Sequence, residues 1–193
     1  MPSLRWSLIA SRAQILLLFL AGFCKQAQAA DICDPSVLPR EIQTKLEKNY
    51  PDWQPERIEN LYEDDRRFWT EAHPNDCPGI AIGHFESKTE LSYGLLLVSK
   101  PDRKRPGLRI LVFSHPAPST PYVVHSLSKW DTGTFCEGSD QVIATVPAGR
   151  YEEVMGPKKV QTDLDSIAYE VMGKGSVLYY WKNGRYHELA TSD

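Results

Sequence analysis

The chain has 193 residues, 41% of them hydrophobic and 24% charged, with 22 basic and 25 acidic side chains and a net charge of −3. A balance on the acidic side excludes the cationic surplus with which nucleic-acid binders displace counterions from phosphates. It names no partner by itself.

Residues 1–29 read as a secretory signal peptide. Arg5 and Arg12 give a basic start, residues 15–23 an apolar core, and Ala27-Gln28-Ala29 a small-x-small cleavage site. A spanning helix needs about 20 apolar residues, and this run holds roughly half that number before Cys24 and Lys25. Leu20 to Cys24 approaches a lipobox, but Phe23 stands where a small residue is required. The expectation is cleavage near Ala30, with an exported product, periplasmic or extracellular, that keeps no stable membrane span. The remainder, residues 30–193, has the size of a single domain. The leader carries Arg5, Arg12 and Lys25 and no acidic residue, so the remainder holds six more acidic than basic side chains.

Three cysteines follow the cleavage site: Cys33, Cys77 and Cys136. In an oxidising compartment two of them form a disulfide, and sequence leaves three pairings open. A bridge from Cys33 ties the mature N-terminus to the body. Cys77, between Asp76 and Pro78, has no cation nearby in sequence to favour a thiolate.

Two short helices come next. Pro39 to Asn49 places Ile42 and Leu46 four residues apart among polar neighbours, with Pro39 suited to a first turn. Asp64 to Ala72 begins with acidic residues that complement the positive helix end and stops at His73-Pro74. Phe68, Trp69 and Ala72 are its expected docking residues.

From Pro78 onward the pattern turns to short β-rich runs bounded by Gly, Pro, Asp or Ser. Candidate strands are residues 80–85, 92–99, 108–114, 122–127, 141–146, 166–171, 177–182 and 185–189. Asn183-Gly184 between the last two is the two-residue signal of a type I′ hairpin. Such short spacing excludes the helical crossovers of parallel pairing. The fold class is therefore α+β: two short N-terminal helices packed on an antiparallel β meander.

Residues 77–97 resemble a degenerate FG-GAP-type segment, a strand, a calcium loop and a second strand, as found in exported bacterial proteins. Residues 177–186 are similar to the closing hairpin of proteins of that kind. The resemblance implies the β-hairpin architecture. Where that family's loop is rich in Asp and Gly, however, this chain has His84, Ser87, Lys88, Thr89 and Ser92. Calcium takes six to eight oxygens, several from carboxylates. Only Glu86 and Glu90 qualify here, so no metal and no cofactor are expected.

Candidate site residues fall in three groups. For a small hydrolase they are His84, Glu86, Ser114, His115 and His125. His84 and Glu86 lie two apart in a strand and so on one side of it, while His115 and His125 flank a Pro-rich loop. No HExxH or GxSxG spacing is present. For a binding surface they are Arg103, Lys104 and Arg105, in a basic turn between two apolar strands, and Tyr180 of the final hairpin. On that hairpin Val177, Tyr179 and Trp181 face one way and Leu178 and Tyr180 the other, one of the two faces being core and the other covered by the N-terminal helices or left open as an aromatic platform. The third group is the cysteines. Together these features point to an exported, non-catalytic binding module, such as an inhibitor, immunity-type or envelope accessory protein, for a protein or cell-envelope glycan. The hydrolase is the alternative.

Overall fold

The computed structural model describes residues 32–101, 107–130 and 139–192, without the side chains of residues 129 and 130. In chain order the elements are α1 (Arg40–Asn49), β1 (Trp53–Pro55), α2 (Glu63–Ala72), β2 (Ile80–Gly83), β3 (Ser92–Ser99), β4 (Leu108–Ser114), β5 (Val123–Trp130), β6 (Gln141–Val146), β7 (Arg150–Glu152), β8 (Lys159–Gln161), β9 (Ser166–Val171), β10 (Gly175–Lys182) and β11 (Arg185–Ser192). The chain is β-rich, and the pairs between these strands are antiparallel.

The central strands determine the layering. β3 and β4 are almost continuously apolar, and Leu95, Leu96, Leu97, Ile110, Leu111, Val112 and Phe113 are each at most 1% exposed. A strand buried on both faces needs cover on both sides. On one face, Leu96, Ile110 and Val112 form a cluster with Ile143, Ile167, Tyr169 and Tyr179. On the other, Leu95, Leu97, Leu111 and Phe113 cluster with Cys33, Leu38, Ile42 and Cys77. One continuous meander cannot satisfy both demands. The strands divide instead into a sheet of β1 to β5, a sheet ordered β11-β10-β9-β6, and a separate β7-β8 ribbon.

Several local expectations are corrected by this packing. The strand expected over 80–85 ends at Gly83, because the Asp165 carboxylate accepts the His84 N–H at 2.9 Å and takes it out of the ladder. α2 docks through Trp69, which is 2% exposed among Leu61, Val142 and Met172, while Phe68 is 61% exposed and Ala72 also faces outward. At 100° per residue, a helix seated on one residue turns its sequence neighbour away. Tyr179 of the β10-β11 hairpin packs in the intersheet core, and the opposite face is covered, but not by the N-terminal helices. Leu178 and Tyr180 pack with Leu189 and with Val160 of the β7-β8 ribbon. The hairpin turn itself has Asn183 at φ 53° and Gly184 at φ 75°, joining Lys182 to its partner Arg185.

Of the three cysteine pairings, the fold selects Cys33–Cys77, with Cα atoms 5.0 Å apart. Cys136 lies outside the described residues. Among those residues no helix is long and apolar enough to cross a membrane.

The edge of β3 is shared by two strands placed end to end. β1 pairs with its Leu97–Ser99 half and β2 with its Ser92–Leu95 half. At the joint, the Leu96 carbonyl accepts the Glu56 N–H at 2.9 Å and the Leu96 N–H donates to the Gly79 carbonyl at 3.0 Å. Glu56 is 1% exposed there. Its Oε1 accepts from the Arg57 N–H at 2.9 Å and from Asn60 Nδ2 at 2.8 Å. Burial outweighs these bonds and raises its pKa above the ordinary 4.5. The folded state therefore holds this proton more tightly than the unfolded chain does. The stability that the group contributes is full below pH 4.5 and declines as pH rises through the elevated folded value. Denaturant midpoints measured from pH 4 upward should fall less steeply in Glu56→Gln than in the wild type, because glutamine keeps the acceptor and removes the charge. Equal slopes would place the carboxylate in a hydrated site.

A candidate binding cleft

β5 is the last strand of the first sheet, and His125 lies opposite Val112 on it, on the face turned to the second sheet. The register slips by one residue at Leu127, between the pairs Leu111↔Ser126 and Ile110↔Ser128. Bulges of this kind re-aim side chains. Leu127 packs into the intersheet cluster. From the other wall, the hairpin register sets Tyr186 opposite Trp181 and Glu188 opposite Tyr179. Between these walls lies a cleft of about 390 Å³, with His125, Ser126, Tyr179, Arg185, Tyr186 and Glu188 in its lining.

Glu86 contacts two of the lining residues, His125 and Tyr186. Phe85 beside it is fully buried in the intersheet core, which fixes the carboxylate in place. Glu86 Oε1 accepts the Tyr186 hydroxyl at 2.9 Å and lies 3.4 Å from His125 Nε2. Side-chain exposure is only 10% for Glu86 and 31% for His125, so the pair is shielded from bulk water more than an ordinary surface contact. Burial drives the Tyr186 pKa well above the usual phenol value, helped by the Glu86 charge and the hydrogen bond that the neutral hydroxyl donates to it. Burial, and then the charge of Glu188, push Tyr179 up to about 12. Both phenols stay protonated at physiological pH and act as donors.

Two rings of the lining, those of His125 and Tyr186, meet a third, that of Trp181. Centroids are 5.4 Å apart for His125 and Trp181, 5.7 Å for His125 and Tyr186, and 5.0 Å for Trp181 and Tyr186, with interplanar angles of 64–69°. Edge-to-face contacts of this kind suit the ring quadrupoles and fix ring orientation.

Of the hydrolase candidates, Glu86 and His125 are brought together and the others are dispersed. The expected His84–Glu86 pair does not form, because β2 ends before it. His84 Nδ1 lies 3.2 Å from the Glu90 carbonyl instead. The His115 ring packs on Tyr122 at 3.7 Å, and its Nδ1 contacts the Thr120 carbonyl. Ser114 is 1% exposed, and its hydroxyl has no hydrogen-bond partner among the described residues. A nucleophile needs both a base and access. Tyr180, the expected platform residue, is 4% exposed beneath Lys158 and stacked with His187. Arg103, Lys104 and Arg105 lie outside the described residues.

Arg185, Tyr186 and Glu188 were not among the residues singled out from sequence. The signal was there, since the Asn183-Gly184 turn fixes which residues of the two strands share a face. A second groove, of about 300 Å³, runs beside the disulfide and includes Val37, Ile82, Ile143 and Thr145. Among the described residues no group of three or more His, Cys, Asp or Glu side chains is placed to hold a metal ion. Comparison with protein-family models, curated proteins and solved structures finds no match for this chain.

Proposed function

We propose that this protein is an exported binding module that holds its ligand in the cleft between β5 and the β10-β11 hairpin. The ligand belongs to the cell envelope or its surroundings. The observation that carries this reading is the presence, in the lining of one concave site, of the His125 and Tyr186 rings, locked against Trp181 and held by their contacts with Glu86. Small-ligand sites combine aromatic walls with a few fixed polar groups in this way. The disulfide accords with an oxidising compartment.

A hydrolase is the second reading, and the Glu86–His125 contact favours it, because a carboxylate that orients an imidazole is half of a general-base arrangement. The nucleophile is what that reading must supply. The buried Ser114 hydroxyl does not answer that need, and the same contact serves a binding site by fixing the imidazole.

Retention of the purified protein on isolated envelope material from its source tests the proposal. Both His125→Ala and Trp181→Ala should weaken retention by about tenfold, the loss typical of an anchor residue. Equal retention by the wild type and both variants places the ligand elsewhere. Turnover of ester or amide substrates that disappears with His125→Ala moves the assignment to the hydrolase.

A further inference from the structure

Within the reading of this cleft as the binding site, the chemistry of its walls narrows the ligand. We infer that it takes a neutral saccharide.

Consider first what the walls reject. An anionic ligand needs a cationic surplus. Here the lining holds one guanidinium, that of Arg185, whose Nε lies 3.4 Å from His187 Nε2, and one carboxylate, that of Glu188, while the Glu86 carboxylate adds a second negative charge beside the lining residue His125. An apolar ligand needs an apolar lining. Among the described lining residues, the apolar side chains are Val124 and Leu127, while six others carry polar groups. An extended peptide would bind by adding a strand to the open side of β5, which requires a regular ladder. The bulge at Leu127 breaks the ladder beside the cleft.

Now consider what the walls accept. A pyranose presents hydroxyls that both donate and accept, set around a ring with C–H bonds on its faces. The cleft supplies both halves of that bonding. Arg185 donates, the Glu188 carboxylate accepts, and the Ser126 hydroxyl does either. The weakly positive C–H groups suit the negative faces of aromatic rings. Trp181 and Tyr186 are half-buried and held edge to face, so their side-chain entropy is lost before a ligand arrives. A volume of about 390 Å³ has the scale of a small-ligand cleft and not of a protein interface.

Calorimetric titration of the exported protein tests this inference. The probes are an N-acetylglucosamine tetramer and a β-glucan tetramer, with a sulfated tetrasaccharide and an unstructured neutral peptide for comparison. Saturable binding of at least one neutral tetramer is expected, with an affinity that is almost unchanged between low and high salt. Trp181→Ala should weaken it by about tenfold. Tyr186→Phe keeps the ring and removes the hydroxyl that Glu86 holds, so it should weaken binding severalfold by loosening the Glu86–His125 contact and lower the thermal midpoint by about 2–8 °C. Saturation by the sulfated sugar or the peptide alone overturns the inference, as does the absence of saturation by both neutral tetramers. If envelope retention still depends on His125 and Trp181 in that case, the cleft stands as the binding site and only the saccharide assignment falls. Retention indifferent to those residues removes both.

Discussion

Replacing Cys33 and Cys77 by alanine should lower the stability by about 4 kcal/mol, the chain-entropy value for a loop of this length. The two cysteines are 44 positions apart. The bridge encloses α1, β1 and α2, nearly the whole chain that precedes the second strand of the first sheet. Without it, that segment is held to β3 and β4 by the cluster around Leu38 and Ile42. A domain of this size loses about 2–4 °C per kcal/mol, so the melting midpoint should drop by about 8–16 °C. Calorimetry of the wild type with and without reductant provides the internal check, since the reduced protein must melt with the variant. A variant that melts with the oxidised wild type would show the apolar cluster sufficient on its own.

Gly79→Ala is the second large effect, and its cause is contact and not backbone conformation. A Cβ at Gly79 would lie 2.3 Å from the Glu56 carbonyl oxygen, 2.4 Å from its nitrogen and 2.9 Å from its carbonyl carbon. None of these atoms can rotate away. They belong to the joint where β1 and β2 meet on one edge of β3, and moving either chain breaks a bond to Leu96. The expected cost is about 3 kcal/mol, at the upper end for overpacking. Hydrogen exchange should show the Glu56 and Leu96 amides losing protection first. A cost under about 1 kcal/mol, with those amides still protected, would mean that the two end-to-end strands separate freely.

Much of the strand pattern was legible because its signals are local. The runs at 92–99, 108–114, 141–146 and 166–171 recur as β3, β4, β6 and β9 with those bounds, each enclosed by turn residues that end pairing. β1, β7 and β8 have three residues each, too few for alternation to declare itself. What sequence left unresolved depends on contacts between distant segments. Cys33 meets Cys77, and not Cys136, because Leu38 and Ile42 settle against β3 and β4 and bring the N-terminus there. Glu86 and Tyr186 are 100 positions apart, and only the stacking of two sheets brings the hydroxyl to the carboxylate. His84 is the natural neighbour of Glu86 only on a strand that runs through both. A carboxylate 81 positions away, that of Asp165, ends the strand at that point.

The two margins of the sandwich are closed by different kinds of chemistry. Along the β2–β6 margin, the Ile143 N–H donates to the Pro78 carbonyl at 2.8 Å and the Thr145 hydroxyl to the Ile82 carbonyl at 3.0 Å. Three of those four groups are main chain, the part of a protein that most substitutions leave unchanged. Along the β5 margin, the layers meet through the side chains of Glu86, His125 and Tyr186. Inheritance acts on these two margins unequally. Descendants of this chain can exchange the residues along the β5 margin one at a time, altering what is recognised, while the opposite seam keeps the layers in register.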